Sequence, residues 1–404
     1  MRRLLPPSAG PDALRLIGTR AARGFADGIA SVLLASYLSR LGFTPVEIGA
    51  IATATLFGSA VLLLAVGLLG HRYRRRTVLL ASAVLMCATG VAFYLATGFW
   101  ALLAVAFVGT LNPSSGDVTL FLPTEQAVLA EVSASRDRTT LFAWYNLAGA
   151  FAGAFGSLAA GLPDALAPAR AAQAERAAFL VYGAIGALSA LAYRKLSPHL
   201  EPPRTAQTGT ALKKSRGVVL QLATLFSIDA FGGGFVVQSI VALWLFRRFD
   251  LAVSTAGAIF FAVNLLSSIS QLVSARIAAR IGHVRTMVYT HLPANLFLVL
   301  AGLMPTLPLA ALFLLLRAML SQMDVPARQA YVMAMVPREE RAAAASVTNV
   351  PRSLASAIGP LLAGALLQKS LIGWPLICGG ALKIAYDLML YATFSRRMPA
   401  EGES

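Results

Sequence analysis

Charge is scarce in this chain, and acid is scarcer still. Only 13% of its 404 residues are charged, and 34 basic residues face 18 acidic ones. A soluble globular domain carries about 25% charged residues, so an ordinary water-facing surface is excluded. Cysteine is nearly missing. Cys87 and Cys378 both sit in apolar runs and make neither a disulfide framework nor a metal cluster, so they read as packing residues. The sequence holds no Ser-His-Asp order, no phosphate-cradling glycine loop, no metal-ligand spacing and no soluble catalytic module. No cofactor and no enzyme activity are therefore expected. The formal charge of +16 has no basic, aromatic-bearing domain to carry it, so nucleic acid is not an expected partner.

What the chain has in quantity is apolar length. Hydrophobic residues make up 57% of it, and a bilayer core of ~30 Å needs about 20 of them per helical crossing. That length predicts twelve spans, at approximately 14–38, 46–70, 77–97, 100–122, 141–163, 177–193, 218–245, 254–275, 286–304, 308–326, 343–367 and 373–394. The short charged tail "MRRLLPPSAGPD" does not read as a cleaved signal peptide. One sizeable polar interval, 197–217, reads as a linker between a six-helix half at 1–196 and another at 218–404. With the N-terminus inside, the inner segments hold 21 Lys and Arg and the outer ones six. Basic residues are retained in the cytoplasm, so both termini are expected inside, and much of the net charge becomes a topology signal.

The run "FLPTEQAVLAEVSASRDR" (121–138) has a near-twin, "DVPARQAYVMAMVPREER" (324–341). At a constant offset of 203, residues 123–161 and 326–364 share eleven identities, among them Pro123/Pro326, Gln126/Gln329, Arg138/Arg341, Asn146/Asn349 and Gly156/Gly359. A repeat of half the chain in the same in/out sense describes two halves related by an axis along the membrane normal. Small residues and buried amides mark close helix contacts, so Asn146, Asn349, Gly156 and Gly359 are expected at such contacts, at the interface of the halves.

Topology and repeat together resemble the major facilitator superfamily, over nearly the whole chain. The resemblance extends to the family's loop between spans 2 and 3, usually G-x-x-x-D-R-x-G-R-R. Here it reads "GLLGHRYRRRT" (67–77), with Gly67, Arg72, Arg75 and Arg76 matching and His71 in place of Asp. The second-half counterpart, "ARIAARIGHVR" (275–285), keeps Arg280 and Gly282 and also lacks the Asp. The resemblance implies a cytoplasmic gate at these loops. His71 cannot serve as a carboxylate, which leaves Arg72–Arg76 against Glu125 or Glu131 as the expected latch; a basic loop serving topology alone is the other reading. The family's span-4 Arg is replaced by "LNPSSGDV" (111–118), and an Arg appears in span 10 instead, as Arg317.

The same resemblance places spans 1, 4, 7 and 10 around a central cavity, and the in-membrane charges gather there. Such charges are costly unless paired or facing water, and are functional candidates by default. On span 1, Arg20, Arg23 and Asp27 share one helical face, either as a cavity wall or as an Arg23–Asp27 pair. Asp229 on span 7 has no basic residue within two turns of its own helix, which makes it the first candidate proton carrier. The following Gly232–Gly234 would let the span bend or a ligand approach the backbone. Span 4 offers Asn112 and Asp117 around Pro113; span 10 offers Arg317, Ser321 and Asp324 as a one-sided stripe. On span 12, Lys383 and Asp387 are expected to pair at i, i+4.

The expectation is therefore a multi-pass secondary transporter of the bacterial inner membrane. It would be a monomer that moves a small organic molecule by alternating access, in proton-coupled export. An alternative substrate is an anionic metabolite held by Arg20, Arg23 and Arg317. An alternative of another class is a non-transporting membrane sensor or membrane enzyme.

Overall fold

In hydrocarbon a backbone must satisfy its hydrogen bonds within its own segment, which favours helices. The computed structural model describes residues 9–69, 73–114, 120–132, 137–166, 168–197, 215–337 and 340–395. Every regular element among the described residues is helical. The first eight helices are α1 (Pro11–Arg40), α2 (Pro45–Leu69), α3 (Arg75–Leu95), α4 (Phe99–Val108), α5 (Leu122–Val132), α6 (Arg138–Ala159), α7 (Leu162–Leu166) and α8 (Ala171–Tyr193). The next eight are α9 (Arg216–Gly234), α10 (Gln238–Phe249), α11 (Val253–Ile281), α12 (His283–Leu303), α13 (Leu307–Ala318), α14 (Asp324–Ala334), α15 (Arg341–Lys369) and α16 (Trp374–Phe394).

Among the described residues, eight helical stretches are long and apolar enough to cross a membrane, with α9 and α10 counted as one. The sequence predicts twelve, and the difference has physical causes. Helix α1 is 30 residues long but carries Arg15, Arg20, Arg23 and Asp27, and α6, expected span 5, dilutes its apolar residues with Tyr145, Asn146 and three glycines, so both fall outside that set. Expected span 4 is broken into α4 and α5, and expected span 10 into α13 and α14, leaving apolar pieces of only 10 and 12 residues ahead of each break. The breaks follow local chemistry. Gly109 ends α4 in an extended conformation, and Asn112 folds its Oδ1 back onto the Ser114 backbone N–H at 3.0 Å. Such side-chain turns compete with the helical ladder.

Helix starts are similarly encoded. Before α2, the Thr44 backbone N–H donates to the Glu47 carboxylate at 2.8 Å and the Glu47 N–H donates back to Thr44 Oγ1 at 3.3 Å. This reciprocal pair satisfies two donors that the helix cannot, and Pro45 takes the first helical position, where its missing N–H costs nothing.

The chain divides into two compact units, Met1–Ala206 with Asp250–Phe261, and Gln207–Phe249 with Ala262–Ser404. In the first, α1 packs along α6 and α8. A Cβ on Gly28 would collide with the Gly153 carbonyl, and one on Gly156 with the Phe25 carbonyl; only hydrogen lets these backbones approach so closely. In the second unit α9 packs along α15 and α16, and a Cβ on Gly359 would strike Gly234. Phe226, Met287, Tyr331, Tyr386, Leu390 and Phe394 fill the core beside them.

These contacts correct part of the sequence reading. Gly156 and Gly359 do stand at close helix contacts, but each contact joins two helices of one unit, α1 with α6 and α9 with α15. Asn146 and Asn349 are exposed, so the expected buried amides are not formed.

Candidate functional site

Each unit buries its own cluster of charges. In the first unit the centre is Glu125 on α5, fully buried. Arg23 of α1 grips both of its oxygens, Nη1 to Oε1 at 3.0 Å and Nη2 to Oε2 at 2.5 Å. Tyr193 donates to Oε1 at 2.6 Å, Tyr145 to Oε2 at 2.5 Å and Thr19 to Oε1 at 3.1 Å. Arg23 also contacts the Tyr193 hydroxyl and lies 4.0 Å from the centre of the Phe121 ring. Bidentate geometry with the remaining lone pairs filled is the condition under which a buried pair is tolerated. Arg20, one turn earlier, is buried over the Tyr145 ring at 5.6 Å.

The same arrangement isolates Asp27. The expected Arg23–Asp27 pair does not form, because Arg23 is held by Glu125. Asp27 is 5% exposed and makes no hydrogen bond and no ion pair among the described residues. Arg20 and Arg23 act on it only through space.

In the second unit the centre is Asp229 on α9. Its carboxylate meets Lys383 Nζ of α16 at 2.6 Å, Arg328 Nη1 of α14 at 3.1 Å and His291 Nε2 of α12 at 3.7 Å. Arg328 bridges on to Asp324 at 3.1 Å. His291 Nδ1 faces Asp387 Oδ1 at 2.8 Å, and Asn295 donates to the other oxygen at 3.0 Å. Two sequence expectations are thereby corrected. Asp229 lacks partners on its own helix but has three from other helices. Lys383 does not pair with Asp387, since each is taken by a different neighbour. The glycine run beside Asp229 admits helices: Cβ atoms on Gly232 and Gly234 would meet the backbones of Gly379 and Ser356.

Arg317 and Arg352 complete this cluster. Both lie within electrostatic reach of Asp229 and Asp324, and in both the Nε is buried without a hydrogen-bond partner. Arg317 ends α13 and Asp324 begins α14, with a turn between them. The expected Arg317–Ser321–Asp324 stripe is therefore not one helical face.

Asn112 is buried and spends its side-chain oxygen on Ser114. Asp117, His71 and Arg72 lie outside the described residues. Gly67 lies in the last turn of α2, Arg75 pairs with Glu131, and Arg76 donates to the Arg194 carbonyl. Of the two expected latch partners, Glu125 is excluded by its burial against Arg23. Arg280 is exposed near the end of α11, and Gly282 caps α12 at φ +83°, a conformation that suits glycine. Glu125, Tyr193, His291, Arg328 and Arg352 were not singled out from sequence as cluster members. Arg352 could have been found, since it is a guanidinium eleven residues inside α15 and meets the criterion that selected Arg317. Among the described residues no group of three or more His, Cys, Asp or Glu is placed to hold a metal ion.

Comparison with known proteins follows the same lines. The family description "Major Facilitator Superfamily" matches residues 16–320 and 223–403. An uncharacterized membrane protein of Saccharomyces cerevisiae is 25% identical over 404 aligned residues, covering 91% of this chain and 90% of the yeast protein. The xylose transporter XylE from E. coli, in an inward open conformation, superposes with a TM-score of 0.74 at 14% identity, covering 97% of this chain and 98% of XylE. The nucleoside transporter NupG superposes at 0.73 and 14% identity, covering 96% of this chain and all of NupG. At such identities the two structures speak for the fold alone.

Proposed function

The chain belongs to the major facilitator superfamily, a family of multi-pass membrane transporters, and from that premise we propose a secondary transporter that exports a small organic molecule in exchange for protons. The observation that carries the proton coupling is Asp27. A carboxylate that is buried, unpaired and one turn beyond Arg23 can take and release a proton without breaking an ion pair. Asp229 is a poorer carrier than its sequence suggested, because protonating it would leave Lys383, Arg328 and His291 facing a neutral group. Asp27 therefore replaces Asp229 as the proposed proton carrier, and the Asp229 cluster is proposed to hold the second unit's helices in register. Twelve crossings with both termini inside, and the inner membrane as location, remain part of this proposal on the strength of the Lys/Arg asymmetry.

The test is flux in proteoliposomes driven by an imposed pH difference. Asp27→Asn should lose gradient-driven accumulation and keep substrate exchange without a gradient. Undiminished accumulation by that variant would remove Asp27 from the coupling path, and accumulation with the opposite dependence on the gradient would make the protein an importer.

A second reading, an anionic substrate, is favoured by the guanidinium groups of the second unit. Arg23 leaves the candidate anion ligands because Glu125 already occupies both arms of its fork.

A further inference from the structure

Counting charges around Asp229 gives a remainder. Lys383 and Arg328 face Asp229 and Asp324 within 3.1 Å, and Asp387 is taken by His291 and Asn295. Those groups close on one another. Arg317 and Arg352 are left over: among the described residues neither makes an ion pair or a hydrogen bond, and each has a buried Nε with no acceptor. Both residues keep some accessible surface. Arg317 has some compensation, since it stands in the last turn of α13, where the helix dipole favours a cation. Arg352 has no such helix end, because α15 runs on for seventeen residues to Lys369, and the like-charged Arg328 acts on it more strongly than Asp229 or Asp324.

We propose that Arg317 and Arg352 form an anion-binding site in the second unit, which holds the carboxylate or phosphate of a small organic substrate. The inference rests on the transporter reading and gives that reading a substrate class. Guanidinium is well matched to such an anion, because it stays charged, presents a planar fork that fits carboxylate and phosphate, and is less strongly hydrated than ammonium. Two orphan guanidiniums kept beside a closed network are a cost to the empty protein. A ligand anion removes that cost and completes the unmet donors. The neighbouring Lys383 and Arg328 add to the positive field but are already engaged, so they steer the ligand and do not grip it.

The experiment uses the purified full-length chain and follows thermal unfolding with succinate, phenyl phosphate and inorganic phosphate. Tetraphenylphosphonium and uridine serve as cationic and neutral probes. A ligand that binds the native state raises its melting temperature. Succinate or phenyl phosphate should stabilise the protein and tetraphenylphosphonium should not. Arg352→Gln and Arg317→Gln should each weaken the anion by about tenfold or more, and Arg352→Lys, which keeps charge without the fork, by less. The decisive control is the ligand-free protein: Arg352→Gln should melt no lower than wild type, because it removes an uncompensated charge. A structural role would lower it, and that result overturns the proposal. So does stabilisation by the cation alone, equal anion binding by wild type and both Gln variants, or no anion response at all. Stabilisation by phosphatidylglycerol but by none of the soluble anions assigns the site to a lipid phosphate and also overturns it. The two readings fail separately. Flux of tetraphenylphosphonium or uridine without any anion effect leaves the transporter and removes the site. Anion binding lost in Arg352→Gln with no flux of any probe leaves the site and removes the transporter.

Discussion

The two units bury charge with opposite polarity. In the first, the long leading helix α1 supplies the cation, Arg23, and the short helix α5 the anion, Glu125. In the second, the leading helix α9 supplies the anion, Asp229, and the short helix α14 the cation, Arg328. Glu125 and Arg328 are separated by 203 residues, the offset of the internal repeat, so one structural position carries opposite charges in the two copies. The ring under each guanidinium changes helix too: Phe121 precedes α5 and lies under Arg23, whereas Phe226 is on α9 beneath Arg328. What the repeat preserves is a buried ion pair at this helix crossing, and the sign is free. What differs is the remainder. Among the described residues, the first unit leaves Asp27 as a buried carboxylate without an ion pair, and the second leaves the guanidiniums of Arg317 and Arg352. On the two proposals made above, these remainders are where a proton and an anion bind.

The largest effect should come from opening the closed pairs. Removing one member of a buried ion pair costs about 3–5 kcal/mol, because the survivor stays charged and buried. Glu125→Gln strands Arg23 and should lower the unfolding midpoint steeply, in a thermal melt of purified protein. Asp229→Asn should do the same in the second unit by leaving Lys383 and Arg328 without their shared carboxylate. If Asp229→Asn melted like wild type, the second cluster would not be a structural clamp and the proposed contrast between the units would fail.

Packing gives the next test. Gly156→Leu forces a side chain against the Phe25 carbonyl of α1, and overpacking of this kind costs roughly 1–3 kcal/mol or more. Gly359→Leu is the matching change in the second unit, against Gly234 of α9. Both should destabilise to a similar degree, as repeat-equivalent helix pairs require. A large asymmetry in melting temperature would mean that one crossing can open to accommodate the side chain.

Asp27→Asn stands at the other extreme. Among the described residues no ion pair or hydrogen bond is lost, so the melting temperature should fall far less than in the variants that open a buried pair, while the gradient-driven flux disappears. This inverts what the sequence suggested, and the reason is instructive. Sequence supplies neighbours three and four residues away on one helix, which is why Arg23–Asp27 and Lys383–Asp387 looked like pairs. Neither forms, because a partner on another helix offers better geometry. The partners of Asp229 come from α12, α14 and α16, and no local spacing can announce them. The helical architecture and the repeat were legible for the complementary reason. Apolar run length and a constant offset are properties of the chain itself. Helices broken by side-chain turns, as at Asn112, and the identity of each glycine's neighbour are set only when segments meet.

The smallest effect on stability should come from Arg75→Gln. Arg75 pairs with Glu131, whose side chain is 41% exposed, and exposed pairs contribute about 0–1 kcal/mol. The melting temperature should hardly move. The resemblance of the loop before α3 to the family's gate loop, with His71 where a carboxylate is usual, leads us to propose Arg75–Glu131 as a latch. Weakening a contact made in only one conformation changes the balance of conformations by the energy of that contact. A few tenths of a kcal/mol amounts to a rate change of about twofold, which initial-rate flux assays can resolve and a melt cannot. Glu131→Gln should shift the rate in the same direction, and the double variant should add little, because both changes remove one interaction. Additive single effects would show that the two residues act on the flux separately, and the latch would then have to be sought elsewhere among the basic residues of this loop.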